Sequence, residues 1–152
     1  MPASASVAPP RTPAEWAAYY GLRHAVLRQP WQQPLGSERC PADDEPGTVH
    51  ALLLAPGPTA PAALAVGMLQ RLSARQGQIR FMAVAAAATG QGRGRQVLKY
   101  LETQARAAGL AELVLHARAA AVGFYERHGY AVAEPSHLLF GEIQHFLMRK
   151  QL

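Results

Sequence analysis

The clearest chemical signal in this sequence is a glycine-rich turn between an apolar strand and a helix. The strand is predicted over Gln78–Val84, and residues 89–95 read Thr-Gly-Gln-Gly-Arg-Gly-Arg. Glycine lets the backbone approach a ligand closely, and the N–H groups that open a helix carry partial positive charge. Arg93 and Arg95 add formal positive charge. The turn therefore predicts a site for phosphate or pyrophosphate, so the protein is expected to hold a phosphorylated small molecule.

The turn lacks the signatures of two other phosphate-binding loops. A nucleotide-triphosphate loop requires Gly-Lys-Ser/Thr, but Gly94 is followed by Arg95 and Gln96. The dinucleotide fingerprint requires a third glycine three places after the second, and those places hold Arg95 or Val97. A Gly-x-Gly pattern alone more often marks a tight turn than a ligand site, so a second motif is needed.

A second motif, Ala-Val-Gly-Phe-Tyr-Glu-Arg-His-Gly-Tyr, occupies residues 121–130, after a strand predicted over Glu112–His116. Together the two motifs resemble the GNAT superfamily of acyl-CoA-dependent N-acyltransferases. That family has a strand ending in Val, a Gln/Arg-x-x-Gly-x-Gly/Ala loop that opens a helix, and later Ala-x-x-Phe/Leu-Tyr-x-x-x-Gly-Phe/Tyr. The resemblance spans roughly residues 64–150, and its second motif falls on Ala121, Phe124, Tyr125, Gly129 and Tyr130.

The resemblance implies an α/β (α+β) GNAT fold. Its central sheet is mixed, mostly antiparallel and twisted, with six to seven strands, about four flanking helices and a V-shaped splay between the fourth and fifth strands. Residues 1–152 are expected to form a single N-acetyltransferase domain, with residues 1–10 as a loose tail or short edge strand. A chain of 152 residues is a typical size for one domain.

The resemblance also implies acetyl-CoA as co-substrate, with no metal. Backbone groups of residues 82–84 would bind the pantetheine arm, and Tyr125 would give a proton to the departing thiolate. Two positions depart from the family pattern: Thr89 replaces Gln or Arg, and Arg118 replaces Asn. The residues implied to bind the cofactor are Met82, Ala83, Val84, Thr89, Gly90, Gln91, Gly92, Arg93, Gly94, Arg95, Arg118, Phe124 and Tyr125.

The general base is the least determined part of the site. Many relatives keep a Glu on the fourth strand, but Gln78–Val84 contains no carboxylate. Each candidate base could instead have only a structural role, because loop acids are often solvated and histidines often make structural hydrogen bonds. We favour His145 as the second catalytic residue, since the last strands line the acceptor side in the family and imidazole titrates near neutral pH. The candidates are Glu38, Asp43, Asp44, His50 and His145.

The charge distribution admits an anionic ligand in the second part of the chain. The net charge is +5; residues 1–60 carry −1 and residues 61–152 carry +6. Nucleic acid would also suit this charge, but the basic residues are scattered and lack interleaved aromatic residues. One cysteine, the absence of a signal-like leader and the absence of a membrane-length apolar run favour the cytoplasm. No His-Glu-x-x-His or Cys/His cluster indicates a metal site.

The remaining elements follow from local patterns. Thr12-Pro13-Ala14-Glu15 is a capping box, which predicts a helix that begins at Pro13. Pro30 ends this helix at the latest. Residues 31–46 are long for a loop, which suggests a functional or mobile lid whose acids would suit a cationic amine. The helix after the glycine turn should bury Val97, Leu98, Leu101, Ala105 and Ala108, with Glu102 and Arg106 paired outside. Strands are predicted at 48–55, 63–72, 76–85, 112–116, 130–134 and 144–150, and a short helix at 119–128.

Three functions remain open at this stage. The first is transfer of acetyl from acetyl-CoA to a primary amine of a small molecule, peptide or protein, by direct attack in a ternary complex. The second is an acyl-CoA-binding regulatory domain with weak or no catalysis, and the third a module that binds nucleic acid or another anion. Relatives often pair, so a homodimer is also expected, and no membrane partner is.

Overall fold

The computed structural model describes residues 6–57 and 59–152, which form one mixed sheet with helices on it. The strands are β1 (Val7–Ala8), β2 (Val49–Leu54), β3 (Ala63–Arg71), β4 (Gln76–Val84), β5 (Glu112–Arg118), β6 (Ala131–Leu139) and β7 (Ile143–Gln151). The described residues also form three α-helices, α1 (Pro13–Leu27), α2 (Arg93–Ala107) and α3 (Val122–Glu126), and four short 3-10 turns. The sheet order is β1-β2-β3-β4-β5-β7-β6. Only β4 and β5 pair in parallel, and the predicted fold class is confirmed.

The first helix begins where the capping pattern predicts. The Thr12 side chain accepts a hydrogen bond from the Glu15 N–H at 3.1 Å, and Pro13 occupies the first turn. The Glu15 carboxylate accepts from the Arg11 N–H at 3.2 Å, one residue before the N-cap. The helix ends at Leu27, before Pro30. No helix in the described ranges is both long and apolar enough to cross a bilayer.

Helix α2 packs its apolar stripe on the sheet. Val97, Leu98, Leu101 and Ala105 are fully buried, and each of the two leucines contributes about 2 kcal/mol by leaving water. Ala108 was expected in this stripe but is exposed, because the helix ends at Ala107 and Ala108 is its C-cap.

The predicted outward pair of Glu102 with Arg106 is wrong. Glu102 is fully buried, and its Oε2 accepts hydrogen bonds from the Tyr130 hydroxyl at 2.9 Å and from Lys150 Nζ at 3.0 Å. Lys99 approaches the other oxygen at 3.6 Å. Partners from distant parts of the chain make this burial tolerable, and helical spacing alone does not show them.

The segment expected to be a lid is partly tied to the body of the protein. A 3-10 turn over Pro41–Asp44 places Asp43 against α1, where Arg23 Nη1 donates to its carboxylate at 2.9 Å and 3.1 Å. The Cys40 N–H donates to the same carboxylate at 3.0 Å. The end of the segment therefore packs as part of the core rather than as a free loop.

Other predicted boundaries shift by a few residues. Of the region expected to be a loose tail or short edge strand, Val7–Ala8 pairs with β2, and residues 1–5 lie outside the described part. The helix predicted at 119–128 is a 3-10 turn followed by α3. Strand β6 extends to Leu139 rather than to residue 134, because it pairs with β7 as far as Leu139 and Ile143, across two irregular steps.

Strands β4 and β5 separate soon after they begin. Their ladder holds only at Gln76–Glu112, Gly77–Leu113 and Gln78–Val114. The register of β4 against β3 also shifts beside Phe81, which has a φ of +54°. A bulge of this kind bends a strand and breaks pairing. Beyond Gln78 the facing edges of β4 and β5 are free to line a cleft, which is the V-shaped splay predicted above.

Candidate active site

Two cavities meet in the gap between β4 and β5. The larger, of about 580 Å³, lies against the end of β4, the glycine turn and α3. The smaller, of about 280 Å³, lies between the middle of β4, β5 and the β6–β7 pair. Both are lined by Met82, Arg118, Ala121 and Tyr125. The cavities therefore form one cleft, with Tyr125 at the junction.

The glycine turn leaves its backbone donors free. Gly90 and Gly92 have φ angles of +78° and +76°, in the left-handed region that favours glycine. The N–H of Gln96 donates to the Gly92 carbonyl at 3.1 Å. The N–H groups of residues 91–95 have no backbone acceptor within the described ranges. These donors, at the positive end of α2, are available to an anion.

Gly94 and Arg93 also suit an anion-binding turn, Gly94 through packing and Arg93 through its charge. A Cβ on Gly94 would lie 3.2 Å from Val84 Cγ2 and 3.5 Å from the Phe124 ring, so glycine permits close packing of α2. Arg93 Nη1 donates to Gln96 Oε1 at 3.0 Å, whereas its buried Nε has no hydrogen-bond partner among the described residues. Since a buried donor without a partner is costly, a diphosphate at the turn would suit Arg93.

The larger cavity collects the residues that the sequence assigned to the cofactor, with one exception. Gln91 does not line it, and its side chain donates to the Ala87 carbonyl at 3.3 Å. Thr89 lines it, with its hydroxyl 3.4 Å from the Ala85 carbonyl. The sequence reasoning missed some lining residues, of which Ala121, Arg127 and His128 fall inside the second motif and could have been included. The missed residues are Val26, Ala88, Ala121, Arg127 and His128.

Tyr125 is held as a protonated hydroxyl at the junction. It is 7% exposed, and burial raises its pKa above the ordinary value, although the positive charge of Arg118 opposes the rise. Its ring packs edge-on against Phe124 and Tyr130, and its carbonyl accepts from the N–H groups of His128 and Tyr130. The tyrosine is thus fixed in place and can donate a hydrogen bond into the cleft at neutral pH.

His145 lies in the smaller cavity as a neutral imidazole. Its Nδ1 lies 2.9 Å from the Ile143 carbonyl, which assigns the proton to Nδ1 and leaves Nε2 as an acceptor. Burial lowers its pKa below the ordinary value; the carbonyl bond opposes this, and the charges of His137, Arg118 and His116 add to it. The ring stacks on His137, with centroids 4.3 Å apart. Such a group can accept a proton at neutral pH.

The other base candidates lie outside both cavities. His50 is buried, with Nδ1 2.8 Å from the Tyr19 hydroxyl and Nε2 2.9 Å from the Asp43 carbonyl. Asp43 is bound to Arg23, and Asp44 is exposed. The Glu38 carboxylate accepts from the Gly36 N–H at 2.7 Å. Of these candidates, the fold brings only His145 into the same cavity as Tyr125.

The smaller cavity also contains two histidines that sequence reasoning missed. His116 on β5 and His137 on β6 line it, with ring centroids 5.4 Å apart. Neither belongs to a motif, and only the pairing of both strands with β7 brings them together. Within residues 6–57 and 59–152, no group of three or more His, Cys, Asp or Glu side chains is placed to hold a metal ion.

Comparisons with known proteins agree with this geometry. The family model described as Acetyltransferase (GNAT) domain matches residues 61–152. A protein from Lactobacillus plantarum assigned as an N-acetyltransferase is 26% identical, with a TM-score of 0.81 over 99% of each chain.

Two further solved structures share the fold. An acyl-CoA N-acyltransferase from Pseudomonas aeruginosa is 25% identical, with a TM-score of 0.77 over 95% of this chain and 97% of that one. An aminoglycoside 6'-N-acetyltransferase solved with coenzyme A is 12% identical, with a TM-score of 0.76 over 95% of this chain and 96% of that one, and supports the fold alone. Since the family model covers more than half of the sequence, the chain belongs to the GNAT acetyltransferase family.

Proposed function

We propose that this protein transfers acetyl from acetyl-CoA to a primary amine by direct attack in a ternary complex. The observation that carries the proposal is the junction at Tyr125, where the cavity lined by the glycine turn meets a second cavity lined by His145. A two-substrate reaction requires such an arrangement, because donor and acceptor must be held together at the reacting carbonyl.

The larger cavity would hold the coenzyme. Backbone N–H groups of residues 91–95 and the side chain of Arg93 would bind the diphosphate. The pantetheine arm would lie along Met82–Val84, where β4 has no strand paired on its β5 side. A backbone N–H on that free edge would polarise the thioester carbonyl of acetyl-CoA, by donating a hydrogen bond to the oxygen on which negative charge develops.

Two side chains would manage the protons. His145 Nε2 would take a proton from the acceptor ammonium, directly or through a water molecule, and so yield the neutral amine that attacks. Tyr125 would donate a hydrogen bond to the departing sulfur, with the charge of Arg118 nearby. Because burial raises the pKa of Tyr125, its hydroxyl would hydrogen-bond the departing thiolate and relay to it the second proton of the attacking nitrogen, so that the amide and the thiol form and the hydroxyl is restored.

A second candidate is a coenzyme-binding regulatory domain with little catalysis. Two observations favour it: Thr89, which stands where the resemblance expects Gln or Arg, reaches only the Ala85 carbonyl, and β4 carries no carboxylate. Binding of nucleic acid or another anion is a weaker alternative that rests on the positive charge of residues 61–152. We further expect a cytoplasmic homodimer, which sedimentation of the purified protein would test.

Two measurements test the proposed function. Calorimetry and thermal shift should show saturable binding and stabilisation by acetyl-CoA, as expected for a ligand that binds only the folded state. Release of free thiol with a panel of amines should then separate the enzyme from the regulatory domain. No heat and no saturation at millimolar coenzyme would overturn the proposal, and salt-sensitive binding of DNA or RNA without acyl-CoA would favour the third function.

A further inference from the structure

The smaller cavity is lined by positive and titratable basic side chains. Arg28 from the residue after α1, Arg80 from β4 and Arg118 from β5 line it together with His116, His137 and His145. Among the described residues, no Asp or Glu lines this cavity. The chamber next to Tyr125 therefore has a positive electrostatic potential.

The cavity arginines have no carboxylate partner in the described part of the chain. Elsewhere, Arg23 pairs with Asp43 at 2.9 Å and Arg149 with Glu112 at 2.7 Å. Within residues 6–57 and 59–152, no ion pair involves Arg28, Arg80 or Arg118.

The direct hydrogen-bond partners of these arginines among the described residues are neutral, and the charge of Glu38 acts on Arg28 without forming an ion pair. Arg28 donates to the Ser37 and Leu27 carbonyls, and Arg80 donates to Gln70 Oε1 at 3.0 Å. The guanidinium of Arg118 lies 5.8 Å from the centre of the Trp31 ring. Carbonyl and amide oxygens satisfy some of the donors but add no negative charge.

The three arginines line different parts of the cleft, which suggests how an acceptor would be oriented in it. Arg118 lines both cavities and lies at the junction with Tyr125, whereas Arg28 and Arg80 line only the smaller one. An anionic group bound at Arg28 and Arg80 would leave the other end of a small molecule near Tyr125 and His145. Guanidinium binds carboxylate or phosphate through paired hydrogen bonds, so both attraction and geometry favour such a group.

We propose that the acceptor is a small amine that also carries an anionic group, a carboxylate or a phosphate, which Arg28 and Arg80 bind. This rests on the proposed acetyl transfer and names its substrate class. An acceptor with only positive charge would be repelled by the cavity. The acids of residues 31–46 that could have favoured a cationic amine do not line this cavity; they are Glu38, Asp43, Asp44 and Glu45.

The positive cavity would also assist the reaction. Nearby positive charge disfavours the ammonium form of the acceptor and so lowers its pKa. The amine would then lose its proton to His145 more readily, while the anionic group remains bound to the arginines. Binding and deprotonation would thus use the same positive charge at different atoms of the acceptor.

Matched acceptors test the proposal. Thiol release from acetyl-CoA is measured with methionine, methioninamide and 3-(methylthio)propylamine, and with phosphoethanolamine against ethanolamine. With kcat/KM expressed per neutral amine, because the amine pKa differs between these acceptors, we expect a value at least about 10-fold higher for the member that carries the anionic group than for its counterpart without it. The ratio should be smaller at high salt because ions screen the attraction. The two pairs distinguish a carboxylate from a phosphate. Equal or better use of the amide, the plain amines or a diamine overturns the proposal.

Variants locate the anion-binding group. Arg80→Gln and Arg28→Gln should each raise KM for the anionic acceptor about 10-fold or more, while KM for acetyl-CoA stays within about 2-fold. Arg75→Gln is the matched control, because Arg75 is exposed in the turn before β4 and lines neither cavity. Circular dichroism checks folding, and an unchanged acceptor KM in both folded variants contradicts the assignment.

A binding measurement covers the case in which no amine of the panel turns over. Calorimetry compares N-acetylmethionine with its amide, and acetylphosphoethanolamine with acetylethanolamine, on the coenzyme-loaded protein. Tighter binding of either anionic product supports the proposal, and equal binding of both pairs overturns it. If coenzyme binds and amines are acetylated without preference for the anion, only this inference fails. If coenzyme does not bind, the proposed function fails and this inference fails with it.

Discussion

A tyrosine, an arginine and a histidine occur together in two regions of the molecule, once in a closed hydrogen-bonded network and once along an open cleft. Between α1 and β2, Tyr19, Arg23 and His50 form a buried network with Asp43. In the cleft between β4 and β5, Tyr125, Arg118 and His145 line the junction and the smaller cavity. In both places burial raises the pKa of the tyrosine and lowers the pKa of the histidine.

The difference lies in the partners. The Tyr19 hydroxyl accepts from Arg23 Nη2 at 2.6 Å and also contacts His50 Nδ1 and the Gly67 carbonyl. The Tyr125 hydroxyl makes no hydrogen bond to another residue in the described ranges. Arg23 has a carboxylate partner, and Arg118 has none in the part of the chain that the structure describes. A perturbed pKa therefore marks burial in both regions, but only the cleft leaves groups available for a ligand.

The largest expected effect is on the closed network. Asp43→Asn leaves the fully buried guanidinium of Arg23 without its counter-charge, so we expect a loss of about 3–5 kcal/mol in the free energy of unfolding at pH 7. Urea denaturation measures it. Asp44→Asn is the control, expected within about 0.5 kcal/mol because Asp44 is exposed. Equal effects of the two changes would contradict the comparison.

The same network predicts a pH dependence. Burial raises the pKa of Asp43, but the Cys40 N–H and the Arg23 charge outweigh it, and the net pKa lies below the ordinary value. A carboxylate of this kind stabilises the fold above its unfolded pKa of about 3.9 and loses that effect as pH falls through the folded pKa. The stability gap between wild type and Asp43→Asn should therefore shrink in acid and be constant near neutral pH.

The next largest effect is expected on catalysis, from a substitution at the junction of the two cavities. Tyr125→Phe removes the hydroxyl but keeps the ring, so kcat should fall about 100-fold, while the affinity for acetyl-CoA changes by less than about 2-fold. Steady-state kinetics and calorimetry measure the two quantities. Tyr100→Phe, on α2 and outside both cavities, should change neither. Equal losses of turnover and affinity would assign Tyr125 to packing instead.

A smaller effect is expected at His145, with a distinctive pH signature. Its pKa lies below the ordinary value of about 6.5, so the neutral, basic form is present at pH 7 and is lost as pH falls through that pKa. Burial is the main cause of the lowered pKa of His145; the Ile143 carbonyl opposes it, and the charges of His137, Arg118 and His116 add to it.

His145→Gln should lower kcat about 10–100-fold and remove the acidic limb of the pH–rate profile. His24→Gln serves as the control, since His24 contacts the Gln33 carbonyl away from both cavities. If the acidic limb survives in the folded His145→Gln protein, His145 is not the base.

The smallest effect concerns the glycine turn. Thr89→Arg adds a positive charge beside the proposed diphosphate, so the Kd for coenzyme A should fall a few-fold, by about 0.3–1 kcal/mol, and less at high salt. Calorimetry measures it, with Thr103→Arg on the exposed side of α2 as the control. An unchanged Kd would mean that position 89 does not face the anion, although it lines the larger cavity.

Local parts of the site could be predicted because local sequence determines them. The left-handed φ angles of Gly90 and Gly92 need glycine, and the start of α1 needs its cap, so both leave a readable pattern. The second motif likewise placed Tyr125 in a short helix. The predictions of where β6 ends and of a buried Ala108 were wrong, since the ends of elements depend on pairing and capping.

Charge partners could not be predicted from the sequence. Glu102 looked like a surface residue of α2, but Tyr130 and Lys150, distant in sequence, bury it. Asp43 and His50 are base candidates beside the favoured His145 in the sequence, and only the fold shows that they bond to Arg23 and Tyr19 instead of lining the cleft. His116 and His137 carried no motif at all.

By itself, the sequence determined the family, the glycine turn before α2 and the tyrosine of the second motif, because each depends on residues close together in the chain. The tertiary structure alone decided which arginines have a carboxylate and which do not. That distinction requires strands and loops far apart in sequence to meet, and the Coulomb interaction depends on the resulting distances rather than on residue type. The positive cavity beside Tyr125 is a product of that assembly.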